Sequence, residues 1–393
     1  MSIFAIVLLF VFPLAAFAML FFDLIFQNKK QFFLLVITII LFFWVGLNYV
    51  PDNDSDLVRY FSIVQIDKGY TVPYFYSNMI SSGHVINIVQ DSLFFFVSRL
   101  DNQQILPGIT TSLAFFSGFF IFLTGKKKID SSILFKILAL LTFLALMRID
   151  IAAGNVRNIS AVGLIMIGII SYDFLGKSYF IQLLFFLLGI SMHIGILPIV
   201  VIKVGIDLLY SGYKNKWLTF LSLTLLAIVS FIFLIRFGIL DSVFGKFTEY
   251  STGDVATSAW FQLLQASLKF KLYKYVIVFY LVFTAILSYK QLILFKSLQK
   301  FNIFYIITSL VTIIFALTQP GSTFLRYFYV QIMLSPLVIM NHSNKAHYKK
   351  LFIILTSFFI LFFLYYQFYY IEVNVDRAQF LKDTFLYPIW FER

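Results

Sequence analysis

Residues 132–161 read S-I-L-F-K-I-L-A-L-L-T-F-L-A-L-M-R-I-D-I-A-A-G-N-V-R-N-I-S-A. The first part is apolar over nearly the ~20 residues a helix needs to cross a hydrocarbon core. Arg148 and Asp150 close it, and only 151–154 intervene before Asn155, Arg157 and Asn158 open a second apolar run that reaches 174. Two spans joined by so short a turn lie side by side and antiparallel. The turn therefore gathers two guanidiniums and a carboxylate at one membrane mouth. Ionisable groups at that depth are functional candidates; the plainer reading is a structural Arg–Asp pair with snorkelling side chains.

Working outward, further apolar runs occupy 2–22, 32–50, 103–124, 216–236, 272–289, 301–319, 325–341 and 350–371. The stretch 178–211 is longer and broken at Ser191-Met192-His193, which reads as two short helices meeting near His193. The expectation is an all-α polytopic membrane protein of about twelve transmembrane helices. Residues 1–393 form one transmembrane domain, with loops at 51–102 and 237–271 and a tail at 372–393. The run 2–22 lacks a basic start and reads as a retained helix rather than a cleaved signal. Composition agrees: 61% of residues are hydrophobic and 12% charged, against ~25% charged in soluble domains. With 52 Phe and 23 Tyr, a water-soluble fold of this length could not hide its rings, whereas a bilayer supplies apolar solvent and interfaces that accept Tyr. The absence of cysteine excludes disulfides, zinc–thiolate sites and thiol chemistry.

The net charge of +12 sits between the apolar runs, in no basic domain, so it orients helices rather than binding nucleic acid. Lysines occupy alternate loops: Lys29-Lys30, Lys126 to Lys128, Lys177, Lys214 and Lys216, Lys290 to Lys300, and Lys345 to Lys350. Placing these in the cytoplasm sets both termini, the two large loops and the tail outside. All eight arginines (Arg59, Arg99, Arg148, Arg157, Arg236, Arg326, Arg377 and Arg393) then fall outside or at outer helix ends. Positive-inside sorting treats Lys and Arg alike, so the segregation points to a use of Arg that Lys serves less well: planar, bidentate recognition of phosphate or carboxylate. Pairing with outer carboxylates is the bland alternative.

Other constellations are weaker. Asp52, Asp54 and Asp56 have calcium-loop spacing, but Leu57 stands where Gly is required and Ile63 where Glu is. That excludes a complete EF-hand; a solvated turn capping a helix is the main alternative to a looser cation site. No metal is expected. Asp56, Arg59 and Tyr60 share one face of an interfacial helix by their spacing. Segment 84–100 is too short and polar to span, so it reads as interfacial or re-entrant, with Arg99 and Asp101 pairing at its end. His193 at the helix break suits a general base; a hydrogen-bonded structural His is the alternative. Arg326 and Tyr327 follow Pro320-Gly321-Ser322 on the first turn of a late span, placed to snorkel or to hold an anion. His84, His342 and His347 are assigned no chemistry. No Walker loop, dinucleotide turn, G-x-S-x-G or H-E-x-x-H occurs, so no cofactor is expected.

In order along the chain come D-x-D-L-V-R-Y (54–60), D-S-L-F-F-F-V-S-R-L (91–100), N-V-R-N-I-S-A (155–161), G-I-S-M-H-I-G-I-L (189–197) and F-L-R-Y-F-Y (324–329). This layout resembles the EpsG/Wzy-like family of bacterial polysaccharide polymerases over most of the chain. The family commonly shows N-x-R-Q-x-x-A where Asn158 here replaces Gln. The resemblance implies a glycosyltransferase that joins undecaprenyl-pyrophosphate-linked oligosaccharides at the outer face of the bacterial cytoplasmic membrane. It leaves room for a chain-length regulator as a partner. A pyrophosphate leaving group needs cationic clamps, for which Arg157, Arg326, Arg148 and Arg59 are the candidates, with Tyr60, Tyr327 and Asn155 beside them. The acceptor hydroxyl needs positioning or a base, for which His193 leads, ahead of Asp56 and Asp150. A lipid-linked oligosaccharide flippase and an O-antigen-ligase-like transferase are the competing readings. A transporter should carry polar groups near the bilayer midplane, whereas the ionisable residues here read as clustered at helix ends.

Overall fold

The computed structural model describes residues 2–27, 31–51, 55–81, 84–210, 267–295, 298–318, 323–342, 349–374 and 376–386, and every regular element among them is helical. In chain order these are α1 (Ser2–Val11), α2 (Pro13–Phe26), α3 (Gln31–Leu47), α4 (Asp56–Lys68), α5 (Val72–Ser81), α6 (Ile88–Ser98), α7 (Ile105–Lys128), α8 (Ile133–Leu146) and α9 (Ile149–Gly154). There follow α10 (Val156–Asp173), α11 (Tyr179–Met192), α12 (Leu197–Leu209), α13 (Leu268–Phe295), α14 (Gln299–Thr318), α15 (Thr323–Asn341), α16 (Lys349–Asn374) and α17 (Arg377–Leu381).

Six of these, α7, α10, α13, α14, α15 and α16, are long and apolar enough to cross a membrane, and five further apolar helices are shorter. The expected span at 216–236 and nearly all of the loop 237–271 lie outside the described residues. The expected single helix over 2–22 is two helices. Pro13 starts the second, because its ring fixes φ and supplies no N–H to the turn before it. The expected span at 132–150 also ends early: α8 stops at Leu146 and the six-residue α9 follows.

The chain forms two compact units, 1–196 with 332–393, and 197–331. In the first, α7 and α10 are well enclosed, with 72% and 78% of their apolar windows buried against 33% for α16. Small residues let their neighbours close in, as expected where packing rather than water drives helix association. A Cβ on Gly163 of α10 would lie 2.7 Å from Ser117 Oγ of α7, and one on Gly46 of α3 would lie 2.2 Å from the Pro107 carbonyl oxygen. Phe42 stacks on Phe115 at 3.7 Å, and Phe17, Phe119 and Phe143 meet this pair edge-on. Outward faces carry bare apolar side chains such as Phe32, Phe180 and Leu361, which suit lipid contact. The segment 376–386 returns to this body. Trp44 Nε1 donates to the Thr384 carbonyl at 3.0 Å, and Phe385 packs edge-on against Phe17.

The loop 51–102 folds as α4, α5 and α6, with a 3-10 turn at His84–Asn87. Ser55 caps α4, its hydroxyl accepting from Leu57 N at 3.2 Å, in keeping with the capping alternative for the Asp-rich stretch; Asp52 and Asp54 lie outside the described residues. Arg99 does not pair with Asp101. Its guanidinium donates to the carbonyls of Asp67 (3.0 Å), Lys68 (3.2 Å) and Tyr70, because the planar fork spans the carbonyls gathered where α4 ends. Lys68 pairs with Asp101 instead, at 2.5 Å, which holds that carboxyl below its ordinary range. Beside the cap, burial pushes the Asp67 carboxyl up to about 6; Asp91 adds to the rise and Arg99 opposes it.

Candidate active site

The site is built where α4 meets the α9–α10 turn in the first unit. Its ends are tied at several points. Thr110 Oγ1 donates weakly to the Ala153 carbonyl at 3.4 Å, holding α9 on α7. The turn lies beside the start of α4: a Cβ on Gly154 would be in ordinary contact with Ser55 Oγ, at 4.0 Å.

From α4, Tyr60 turns inward and is 2% exposed. Its ring packs on Phe94 of α6 at 5.3 Å. Arg157, on the first turn of α10, donates from Nε to Tyr60 Oη at 3.0 Å, and its guanidinium lies 5.4 Å from the ring centre. Arg59 lies 5.6 Å from the same ring and pairs with Asp56 at 3.0 Å, both side chains being more than half exposed. The expected common face is therefore split: Asp56 and Arg59 pair on the exposed side of α4, and the Tyr60 phenol turns into the protein.

Arg148 and Asp150 form a bidentate pair through Nε (2.9 Å) and Nη2, with each side chain 8% exposed. Such geometry holds both groups in place, so Asp150 has both oxygens engaged and Arg148 presents only part of its fork. Asn158 donates to Asn155 Oδ1 at 2.6 Å across the first turn of α10. The Asn158 side-chain oxygen Oδ1 is buried without a hydrogen-bond partner among the described residues.

Charge therefore falls unevenly. Asp56 answers Arg59 and Asp150 answers Arg148, but the described residues give Arg157 no carboxylate. A neutral phenol holds it through Nε, which leaves the terminal nitrogens of the fork for an anion.

His193 terminates α11 in extended backbone, and a 3-10 turn (Ile194–Ile196) leads into α12. Its position against α10 follows from register. Gly168 lies against Gln182 and Phe185, and Gly189 against Ala161 and Ile165. The same antiparallel register, carried one turn further, sets His193 level with the turn that bears Arg157 and Asn158. The approach needs Gly195, where a Cβ would lie 2.6 Å from His193 Nε2.

Arg326 and Tyr327 belong to the second unit, on the first turns of α15, where the Tyr327 ring stacks on Phe315 at 4.8 Å. That unit also holds groups that hydropathy reading passed over. Lys203 and Asp207 pair within α12 at 0% and 4% side-chain exposure, and Lys300 of α14 lies 3.8 Å from the same Asp207 oxygen. Their i,i+4 spacing inside an apolar run was the available signal. Among the described residues no group of three or more His, Asp or Glu is placed to hold a metal ion. Compared with known proteins, the chain matches no family model, no curated protein and no solved structure.

Proposed function

We propose that the chain is a glycosyltransferase that extends a bacterial polysaccharide from lipid-pyrophosphate-linked repeat units at the outer face of the cytoplasmic membrane. One observation carries the reading: Arg157 is held by the neutral Tyr60 and has no carboxylate among the described residues. An arginine oriented in this way is an anion clamp. The anion in question is the leaving pyrophosphate, whose charge grows as the glycosidic phosphate bond breaks. Arg59 adds positive charge at the rim, Arg148 acts from its pair with Asp150, and Arg326 provides a clamp on the second unit.

In the proposed step, the acceptor hydroxyl oxygen bonds to the anomeric carbon. The bond from that carbon to the pyrophosphate oxygen breaks, and the lipid pyrophosphate leaves with the electron pair. The hydroxyl proton passes to His193, level with Arg157 by register, and then to water. Asp56, exposed and paired with Arg59, is the weaker base.

A lipid-linked oligosaccharide flippase is the second reading, and the buried Lys203–Asp207 pair favours it. The two separate in cells. Arg157→Ala and Arg326→Ala are expected to abolish polymer while the protein stays in the membrane, with single repeat units accumulating. Loss of all surface glycan would favour the flippase, and long unattached polymer the ligase-like transferase. Normal-length polymer in both variants would remove the arginine clamps from the scheme.

A further inference from the structure

Two helices of the second unit, α13 and α14, each long and apolar enough to span a membrane, carry polar side chains where they should carry none. On α14, Asn302, Tyr305, Ser309 and Thr312 recur at helical spacing, and all are 2% exposed or less. On α13, Tyr280, Thr284, Ser288 and Gln291 do the same at 4% or less. The stripes face each other: Tyr305 Oη donates to Thr284 Oγ1 at 2.8 Å, and the hydroxyls of Tyr280 and Ser309 lie around the same phenol. In this antiparallel pair, Ser288 then falls level with Asn302, and Gln291 with the start of α14. At that end stands the buried Lys203–Asp207 pair with Lys300. At the other end Thr312 Oγ1 reaches Gln331 of α15 at 3.4 Å. From Lys300 to Thr312 the seam rises about 18 Å, more than half of the ~30 Å hydrocarbon core.

Hydroxyls that bond across helices are ordinary glue in membrane bundles, and Thr284, Thr308 and Thr312 each also donate to a carbonyl on their own helix. Glue does not require three buried amides, two tyrosines and an ion pair in one line. The contacts are also too close for a solute: a 2.8 Å bridge between Tyr305 and Thr284 closes the seam to anything larger than a proton. Ser288 Oγ and Gln331 Nε2 are buried without a hydrogen-bond partner among the described residues, so each would complete its valence with a water molecule in the line.

We propose that this seam is a proton path through the second unit, running between the Lys203–Asp207–Lys300 cluster and the Thr312–Gln331 contact, with Tyr305 as its central relay. A hydroxyl both donates and accepts, and its rotor turns freely. A proton taken up on one lone pair releases the hydroxyl's own proton to the next acceptor. One proton leaves for each that enters, no other bond changes, and the electrochemical gradient sets the direction. The path does not depend on the glycosyltransferase reading.

The test uses the full chain in phosphatidylethanolamine–phosphatidylglycerol vesicles that enclose a pH-sensitive dye, with a potassium diffusion potential as the driving force. The wild type is expected to move protons several-fold faster than protein-free vesicles. Tyr305→Phe, which keeps the ring and so the packing, is expected to fall to the protein-free rate, and Asp207→Asn likewise. Wild-type vesicles no faster than empty ones would overturn the path. So would a Tyr305→Phe protein that conducts as the wild type does, and a lower melting temperature with unchanged flux would then identify the seam as glue.

Discussion

In the first unit the charged side chains of the candidate site gather where helices end; in the second, an ion pair and two polar stripes line the flanks of helices along their length. Arg148, Asp150, Asn155 and Arg157 surround one short turn, and Tyr60 reaches them from a helix too polar to span. Lys203, Asp207 and the Tyr305–Thr284 bridge instead sit inside apolar helices. The difference follows from what each place can hold. A helix end has unsatisfied backbone groups, water nearby and room for a bulky anion. A helix flank between close neighbours admits only groups that satisfy one another. The first arrangement suits a ligand with a charged head, the second a small mobile charge or none.

The sharpest way to break the comparison is at the buried pair. Lys203→Met leaves Asp207 in an apolar environment with only the more distant Lys300, and should cost about 3–5 kcal/mol of stability. The double variant Lys203→Met with Asp207→Leu should recover most of that, as read by thermal melting in detergent. If Lys203→Met melted as the wild type does, the pair would not be buried as described.

Effects on the first unit should appear in activity rather than in folding. Tyr60→Phe keeps the ring on Phe94 but removes the acceptor for Arg157 Nε. The Arg157 fork is then no longer held in place, and a misplaced charge clamp costs about tenfold or more in rate, so polymer synthesis should fall to that extent with melting little changed. Gly195→Ala should act through His193, whose ring must turn away from the new Cβ; activity should drop while the fold holds, since the clash is with a mobile ring. Full activity in Gly195→Ala would argue against His193 as the base.

A smaller effect separates Asp67 from both regions. Its folded-state carboxyl is raised to about 6 from an ordinary 3.8, so the folded chain binds this proton more tightly than the unfolded one. The stability this contributes is complete below pH about 4 and is lost as pH rises through about 6. Asp67→Asn should remove that slope, narrowing the difference in melting temperature between about pH 4 and about pH 7; an unchanged slope would assign it to another group. Smallest of all, Lys68→Ala breaks an ion pair whose partners are 54% and 80% exposed, and should cost about 0–1 kcal/mol.

Much of the first unit could be read from its sequence. Two apolar runs separated by 151–154 require a short connection, and the six-residue α9 with Asn155 supplies it. The break at His193 and the helix begun by Ser55 and Asp56 were legible for equally local reasons. The contact between Tyr60 and Arg157 was not, because nothing local couples residues 97 apart. Arg99 was misread for the opposite reason: Asp101 is near in sequence, but the carbonyls that end α4 offer its fork a better match. In the second unit, hydropathy averaging hid the seam. Ser, Thr and Tyr barely lower the mean of a window, so stripes at 280, 284, 288, 291 and at 302, 305, 309, 312 vanished into runs that read as apolar. Periodicity of the polar residues alone would have found them.

The most direct test of the anion clamp is the length distribution of polysaccharide in cells whose only copy of the protein carries Arg157→Ala, beside Arg157→Lys, at matched protein levels in the membrane. Loss of polymer by about 10²-fold or more is expected for Ala, with single repeat units accumulating and only partial recovery in Lys, which keeps the charge without the fork. Polymer of normal length and amount in Arg157→Ala would contradict the clamp.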